Sequence, residues 1–206
     1  MDKRETTQSP SDETSTFDNK QYSVIKTGVP LTVDKGLYGK GYNYTVDFDS
    51  SPTLQALYLQ AETFFRTDSL SPPQTVLNKL KGIVATAFPH QGINKVIDFE
   101  RQLRKSKNPA SLEDYAKNGI GNCSQTTLTL ILLFEKLREK GMAQGAFTLE
   151  EADWENEFTG GGHTWAKYLP EQGEPVVVDV VRDYVGNEEG HKSILETVRW
   201  ETLSGY

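Results

Sequence analysis

The chain has 206 residues, a formal net charge of -7, 36% hydrophobic and 25% charged residues, which suits one soluble globular domain with a substantial core and excludes a fibrous or disordered chain. The acidic balance excludes a phosphate-tracking nucleic-acid binder, which needs clustered Lys and Arg, and the basic run from Arg101 to Lys107 reads as a solvated helix face. A single cysteine rules out an internal disulfide and a cysteine-only zinc site, and the longest apolar run, Leu130 to Phe134, is far too short to cross a bilayer.

Residues 1–20 are mostly Ser, Thr, Asp, Glu and Gln. They are expected to be a flexible polar tail: either a frayed terminus or an uncleaved address of the kind carried by bacterial effectors injected into other cells. No apolar stretch follows the first basic residues, so synthesis in the cytoplasm without a cleaved signal peptide is expected, with secretion or injection into a host cell left open. Residues 21–206 read as a single catalytic domain, with an arm and a helical part over 21–110 and the chemical core over 111–206.

Between Tyr22 and Asp49, β-forming residues broken by Gly36, Gly39 and Gly41 predict short strands or an ordered arm. Helical spacing follows. Leu54, Leu57, Tyr58, Ala61 and Phe64 or Phe65 form one apolar face, and Val76, Leu77, Leu80, Ile83 and Val84 another, separated by Pro72-Pro73. A third helix is predicted from about Ile93 to Lys105, and a short fourth from the capping-box pair Ser111 and Asp114. From Cys123 onward, Leu128, Leu130, Ile131, Leu132, Leu133, Phe134 and Leu137 point in nearly every direction, which predicts a helix buried all round. Strands are then predicted over Ala146–Leu149, His163–Leu169 and Val176–Val181, with a short helix near Ile194–Val198.

The chemistry centres on Asn118-Gly119-Ile120-Gly121-Asn122-Cys123-Ser124-Gln125. A lone cysteine is most often a small buried hydrophobe. At the mouth of an apolar helix, however, the unpaired N–H groups and the positive end of the helix dipole favour the thiolate, and the same N–H groups suit an oxyanion. Gly119 and Gly121 leave room for a substrate backbone. Of the three histidines, His163 follows Gly160-Gly161-Gly162 and opens a strand, which makes it the candidate base; His90 and His191 read as structural or solvated. Asp179 interrupts the apolar run Val176 to Val181, where a carboxylate needs a partner. A hairpin turning near Glu171-Gln172-Gly173 would set it across from His163 within about one residue of register. Asp183, beside Arg182, is the alternative orienter. No His-Glu-x-x-His, Cys-x-x-Cys, P-loop or Rossmann pattern is found, so neither metal nor cofactor is expected.

Gly121-Asn122-Cys123 at the start of a buried helix, His163-Thr164-Trp165 opening a strand and Val178-Asp179 on the next resemble, in order and separation, the transglutaminase-like branch of the papain-like cysteine enzymes. The resemblance runs from about Leu112 to Asp183. It departs from the family at Val180-Val181, where Asp-Pro-Thr is common. It implies an α+β fold with a papain-like core, in which a buried central helix carrying the cysteine packs on an antiparallel sheet carrying His and Asp. It also implies acyl transfer through a thioester by Cys123, His163 and Asp179, with Asn118, Gln125 and Trp165 as candidates for the oxyanion hole or for substrate contact. The expected activity is that of a glutamine deamidase or transglutaminase, with a cysteine protease or an inactive papain-like binding module as alternatives. The expected partner is a protein or peptide substrate of a monomeric enzyme, with neither nucleic acid nor membrane involved.

Overall fold

A computed structural model describes residues 14–17, 20–24, 37–39, 44–67, 73–89, 93–106, 110–153 and 162–203. Residues 1–13, His90 and Gly160-Gly161, which figured in the sequence reading, lie outside them. The architecture is α+β.

The N-terminal part forms a five-stranded mixed sheet in the order β1 (Thr14–Phe17), β2 (Lys20–Val24), β3 (Leu37–Gly39), β4 (Tyr44–Val46) and β5 (Ala110–Ser111). The β1–β2 and β3–β4 pairs are antiparallel, and the β2–β3 and β4–β5 pairs parallel. β1 and the first residue of β2 fall within the stretch read as a polar tail. A strand ladder is made by backbone groups, so it can form where apolar side chains are scarce.

Three helices follow the predicted spacing: α1 (Pro52–Thr67), α2 (Pro73–Ala87) and α3 (Ile93–Ser106). Leu54, Leu57, Tyr58, Ala61 and Phe65 of α1 and Leu77, Leu80, Ile83 and Val84 of α2 are buried, as their periodicity requires. α4 (Leu112–Asn118) begins at a reciprocal capping box: the Asp114 N–H donates to Ser111 Oγ at 3.2 Å and the Ser111 N–H to Asp114 Oδ2 at 3.1 Å.

α5 (Cys123–Glu139) is the centre of the molecule. Every residue from Ser124 to Glu135 is buried, as is Leu137, so helices lie on one side of it and a sheet on the other. α1, α2 and α4 cover the helical side. The sheet is antiparallel, in the order β6 (Ala146–Asp153), β7 (Gly162–Leu169), β8 (Val176–Asp179) and β9 (Tyr184–Gly186). Phe134 joins the two layers, its ring 4.8 Å from Phe147 and 5.6 Å from Tyr168, both edge to face.

α6 (Glu188–Leu203) corrects the sequence reading, which began this helix after His191. Asn187 caps it, accepting the Gly190 N–H on Oδ1 at 2.8 Å, and Glu188 and Glu189 supply an acidic first turn. His191 therefore lies inside the helix. Among the described residues, no helix is long and apolar enough to cross a membrane.

Candidate functional site

Cys123 is the first residue of α5, with Asn122 as N-cap. Asn122 Oδ1 accepts the Ser124 N–H at 3.0 Å, and Gln125 Oε1 accepts the Asn122 N–H at 2.9 Å. The capping box thus holds the turn on which the thiol sits. Cys123 is half-buried. Its own N–H lies at the first helical position, where no intrahelical acceptor exists, and it makes no hydrogen bond among the described residues.

Both glycines before it are used by the fold. Gly119 is the C-cap of α4, with φ 63°. Gly121 packs against Phe88: a Cβ there would come within 2.6 Å of Phe88 Cδ1. The room that the sequence reading reserved for substrate at Gly121 is taken by this ring.

β7 is an interior strand of its sheet. Thr164, Ala166 and Tyr168 form one alternating set on the α5 side: the Thr127 hydroxyl donates to the Thr164 carbonyl at 3.1 Å, and Ala166 and Tyr168 join the core. Trp165 and Lys167 belong to the other set and meet α6, Trp165 against the His191 ring at 4.8 Å and Lys167 paired with Glu188 at 3.1 Å. His163 shares their parity. The β7–β8 ladder ends at Ala166 opposite Val178, so one further step sets Asp179 opposite Trp165. The offset from His163 is two residues rather than the expected one, and an even offset keeps both side chains on one face.

Asp179 is fully buried and saturated with donors. Its Oδ2 meets His163 Nε2 at 2.5 Å and His191 Nε2 at 2.9 Å, and its Oδ1 accepts the Arg182 N–H at 3.1 Å. With Nε2 engaged, the His163 ring has Nδ1 to offer the Cys123 thiol, whose pKa the imidazole lowers. Thr164 acts on the thiol in the same direction, through its backbone N–H and its hydroxyl.

These contacts set the charges. Burial works to raise the Asp179 pKa, but hydrogen bonds from His163 and His191, the His163 charge and the Arg182 N–H outweigh it and hold the carboxyl well below the usual range. Burial pulls His163 down, while the bonds to Asp179 and Cys123 and their charges push it up to about 9. For Cys123, burial raises the pKa, and the bond to His163, its charge and the two Thr164 donors bring the net direction below that of a free thiol. Both shifts favour the charged forms, thiolate for Cys123 and imidazolium for His163.

Other sequence candidates fall elsewhere. Asn118 is exposed and bonds the Asp114 carbonyl at 2.7 Å, which leaves it a terminal residue of α4. The Gln125 carboxamide is buried in the capping box. Trp165 stacks on His163, centroids 6.0 Å apart. Asp183 is not the partner of His163: its carboxylate is 90% exposed and pairs with Lys81 of α2 at 2.7 Å. Two contributors were missed, Thr164 and His191. The signal for His191 was the Asn187-Glu188-Glu189 helix start, which puts the histidine on the first inward turn of α6.

His163, Asp179 and His191 also offer three metal-ligating atoms within 4.8 Å of one another. Ligand atoms sharing a tetrahedral zinc at bond lengths of about 2.0–2.1 Å lie roughly 3.3 Å apart. At 2.5 and 2.9 Å this set is spaced as a hydrogen-bonded network.

No protein-family model, curated protein or solved structure matches the chain.

Proposed function

We propose that this protein is a cysteine-dependent acyl-transfer enzyme with a papain-like core of the transglutaminase-like kind, in which Cys123 is the nucleophile, His163 the general acid and base, and Asp179 the group that orients His163. The carrying observation is the bond of 2.5 Å between His163 and the buried Asp179 carboxylate, with the Cys123 thiol at the N-terminus of α5 held below its usual pKa by that same imidazole.

The chemistry follows from that arrangement. The thiolate sulfur bonds to the carbon of a carboxamide or peptide carbonyl, and the carbonyl electron pair moves to oxygen. The Cys123 N–H, at the positive end of α5 and without a hydrogen-bond partner among the described residues, is the donor best placed for that oxyanion. Collapse breaks the C–N bond while the His163 imidazolium hands its proton to the leaving ammonia or amine. The neutral imidazole then removes a proton from water or from an acceptor amine, which attacks the thioester and releases the sulfur. Water completes deamidation or hydrolysis, and an amine completes transamidation. Following the family resemblance, a protein-glutamine deamidase or transglutaminase ranks ahead of a cysteine protease.

The test is mass spectrometry of intact candidate proteins and their peptides after incubation with the enzyme or with Cys123→Ala. Deamidation, crosslinking and cleavage leave different mass changes, and persistence of the change with the variant would exclude Cys123. An iodoacetamide rate at about pH 6 to 7 no faster than that of a free peptide thiol would leave an inactive binding module as the better reading.

A further inference from the structure

Asp179 carries one more partner than the proposed reaction requires. His191 reaches the carboxylate from α6, on the sheet face opposite α5, and is 1% exposed. Its ring is fixed by aromatic neighbours, Trp165 at 4.8 Å and Tyr184 at 5.6 Å. Its Nε2 meets the same oxygen that His163 uses, Oδ2, at 2.9 Å. A carboxylate accepts only, so Nε2 must carry the proton in both rings.

We propose that His191 is a positioning residue of this site, which shares Asp179 Oδ2 with His163, holds the carboxylate in the orientation that His163 needs, and so makes helix α6 part of the catalytic apparatus. The inference rests on the acyl-transfer reading of the same residues. The carboxylate is clamped at both oxygens without help from His163: Oδ2 by His191 on α6 and Oδ1 by the Arg182 N–H in the β8–β9 turn. It therefore stays in place as the imidazole gains and loses its proton. By drawing on the acceptor capacity of Oδ2, His191 also limits how firmly Asp179 holds the His163 proton, which must leave in the step that expels ammonia or amine.

The titratable groups facing His191 are Asp179 on β8, His163 on β7 and Tyr184 on β9. On its own helix, Glu188 turns away to Lys167 and Lys192.

The experiment compares His191→Phe, which keeps a ring between Trp165 and Tyr184 but donates nothing, with His191→Gln, which restores an N–H near the Nε2 position. The readout is the pH profile of Cys123 alkylation by iodoacetate, an anion whose reaction is favoured by the imidazolium. Its acid limb follows the thiolate, and its alkaline limb follows His163. The wild-type alkaline limb is expected near the value of about 9 held by His163. In His191→Phe it should move upward by roughly one pH unit, and in His191→Gln it should return toward wild type.

Superimposable profiles for wild type and His191→Phe, or identical shifts in the two variants, overturn the inference while leaving the enzyme reading intact. A wild-type cysteine with no bell-shaped profile overturns the enzyme reading itself. If His191→Phe does not fold, nitrogen-15 spectra of the wild-type histidines decide: His191 carrying its proton on Nε2 is expected, and the Nδ1–H tautomer overturns the proposal.

Discussion

Helices α4 and α5 open with the same device, a reciprocal capping box built from Ser111 and Asp114 in one and from Asn122 and Gln125 in the other. They use the resulting helix ends differently. In α4 both acidic residues of the first turn face backbone donors: Asp114 closes its own box, while Glu113 reaches the start of α1, taking the Thr53 N–H at 3.0 Å, the Leu54 N–H at 3.2 Å and the Thr53 hydroxyl at 2.6 Å. The first turn of α5 holds no acidic residue. Its box is neutral, so the dipole is left to act on the thiol of Cys123. Equal geometry at two helix starts therefore gives backbone contacts where acids fill it and, where they do not, a thiol whose pKa lies below the ordinary value.

The largest effect should come from removing the sulfur itself. Cys123→Ala, and separately His163→Ala, should lower product formation by on the order of 10³-fold or more, with the double variant little worse than either, because the two groups act as a unit. Quantitative mass spectrometry of the product checks both the size and the non-additivity. Asp179→Asn comes next, with a rate loss of roughly 10²- to 10⁴-fold, because an amide has one acceptor oxygen where the carboxylate has two, so it cannot serve the imidazoles and the Arg182 N–H at once, and it favours the wrong tautomer.

The same variant should reshape the pH dependence of stability. The Asp179 pKa is depressed on folding, so its contribution is present above the unfolded value of 3.8 and lost as pH falls through the lower folded value. The His163 pKa is raised, so its contribution is full below 6.5 and lost as pH rises through about 9. Thermal unfolding of the wild type should decline on both flanks, and Asp179→Asn should flatten each.

A smaller change addresses the two helix starts directly. Gln125→Glu gives α5 the acidic box of α4, and the added charge should raise the Cys123 pKa and slow iodoacetamide labelling at about pH 6 to 7 by roughly 2- to 10-fold. An unchanged rate would mean that the dipole contributes little and that His163 and Thr164 alone maintain the thiolate. The converse change, Ser111→Ala in α4, should cost about 1 kcal/mol in denaturant unfolding and leave the labelling rate of Cys123 unaltered. Asp183→Asn should do least, at most about 1 kcal/mol with no change in labelling, since its carboxylate is 90% exposed and pairs with Lys81 away from the site.

Much of this was legible in the chain. The all-round apolar pattern after Cys123 specified a central helix, because a segment with no polar face has nowhere to go but the middle. The capping-box pair at Ser111 and the apolar β-branched run Val176–Val181 that Asp179 interrupts were equally local signals. The choice between Asp179 and Asp183 was not local. Both are acids near the end of one strand, and only the packing of the sheet against α6 buries the first, while Lys81 of α2 takes the second at the surface. His191 was passed over because the helix was expected only from about Ile194, although Asn187 and two glutamates marked the start. The glycines were recognised as special for the wrong reason: their freedom serves the α4 cap and the approach of Phe88.

By itself the sequence determined the main helices, the strands β6 to β8 and the setting of Cys123 at a helix start, since periodicity, capping and turn chemistry act over a few residues and are written in them. The tertiary structure decided what surrounds that cysteine. Register parity set His163 and Asp179 on one face, α6 packed on that same face and brought in His191, and Thr164 gained its role only because β7 lies against α5. Hydrogen bonds among groups far apart in sequence depend on distances of a few tenths of an ångström, and such distances exist only once the layers have packed.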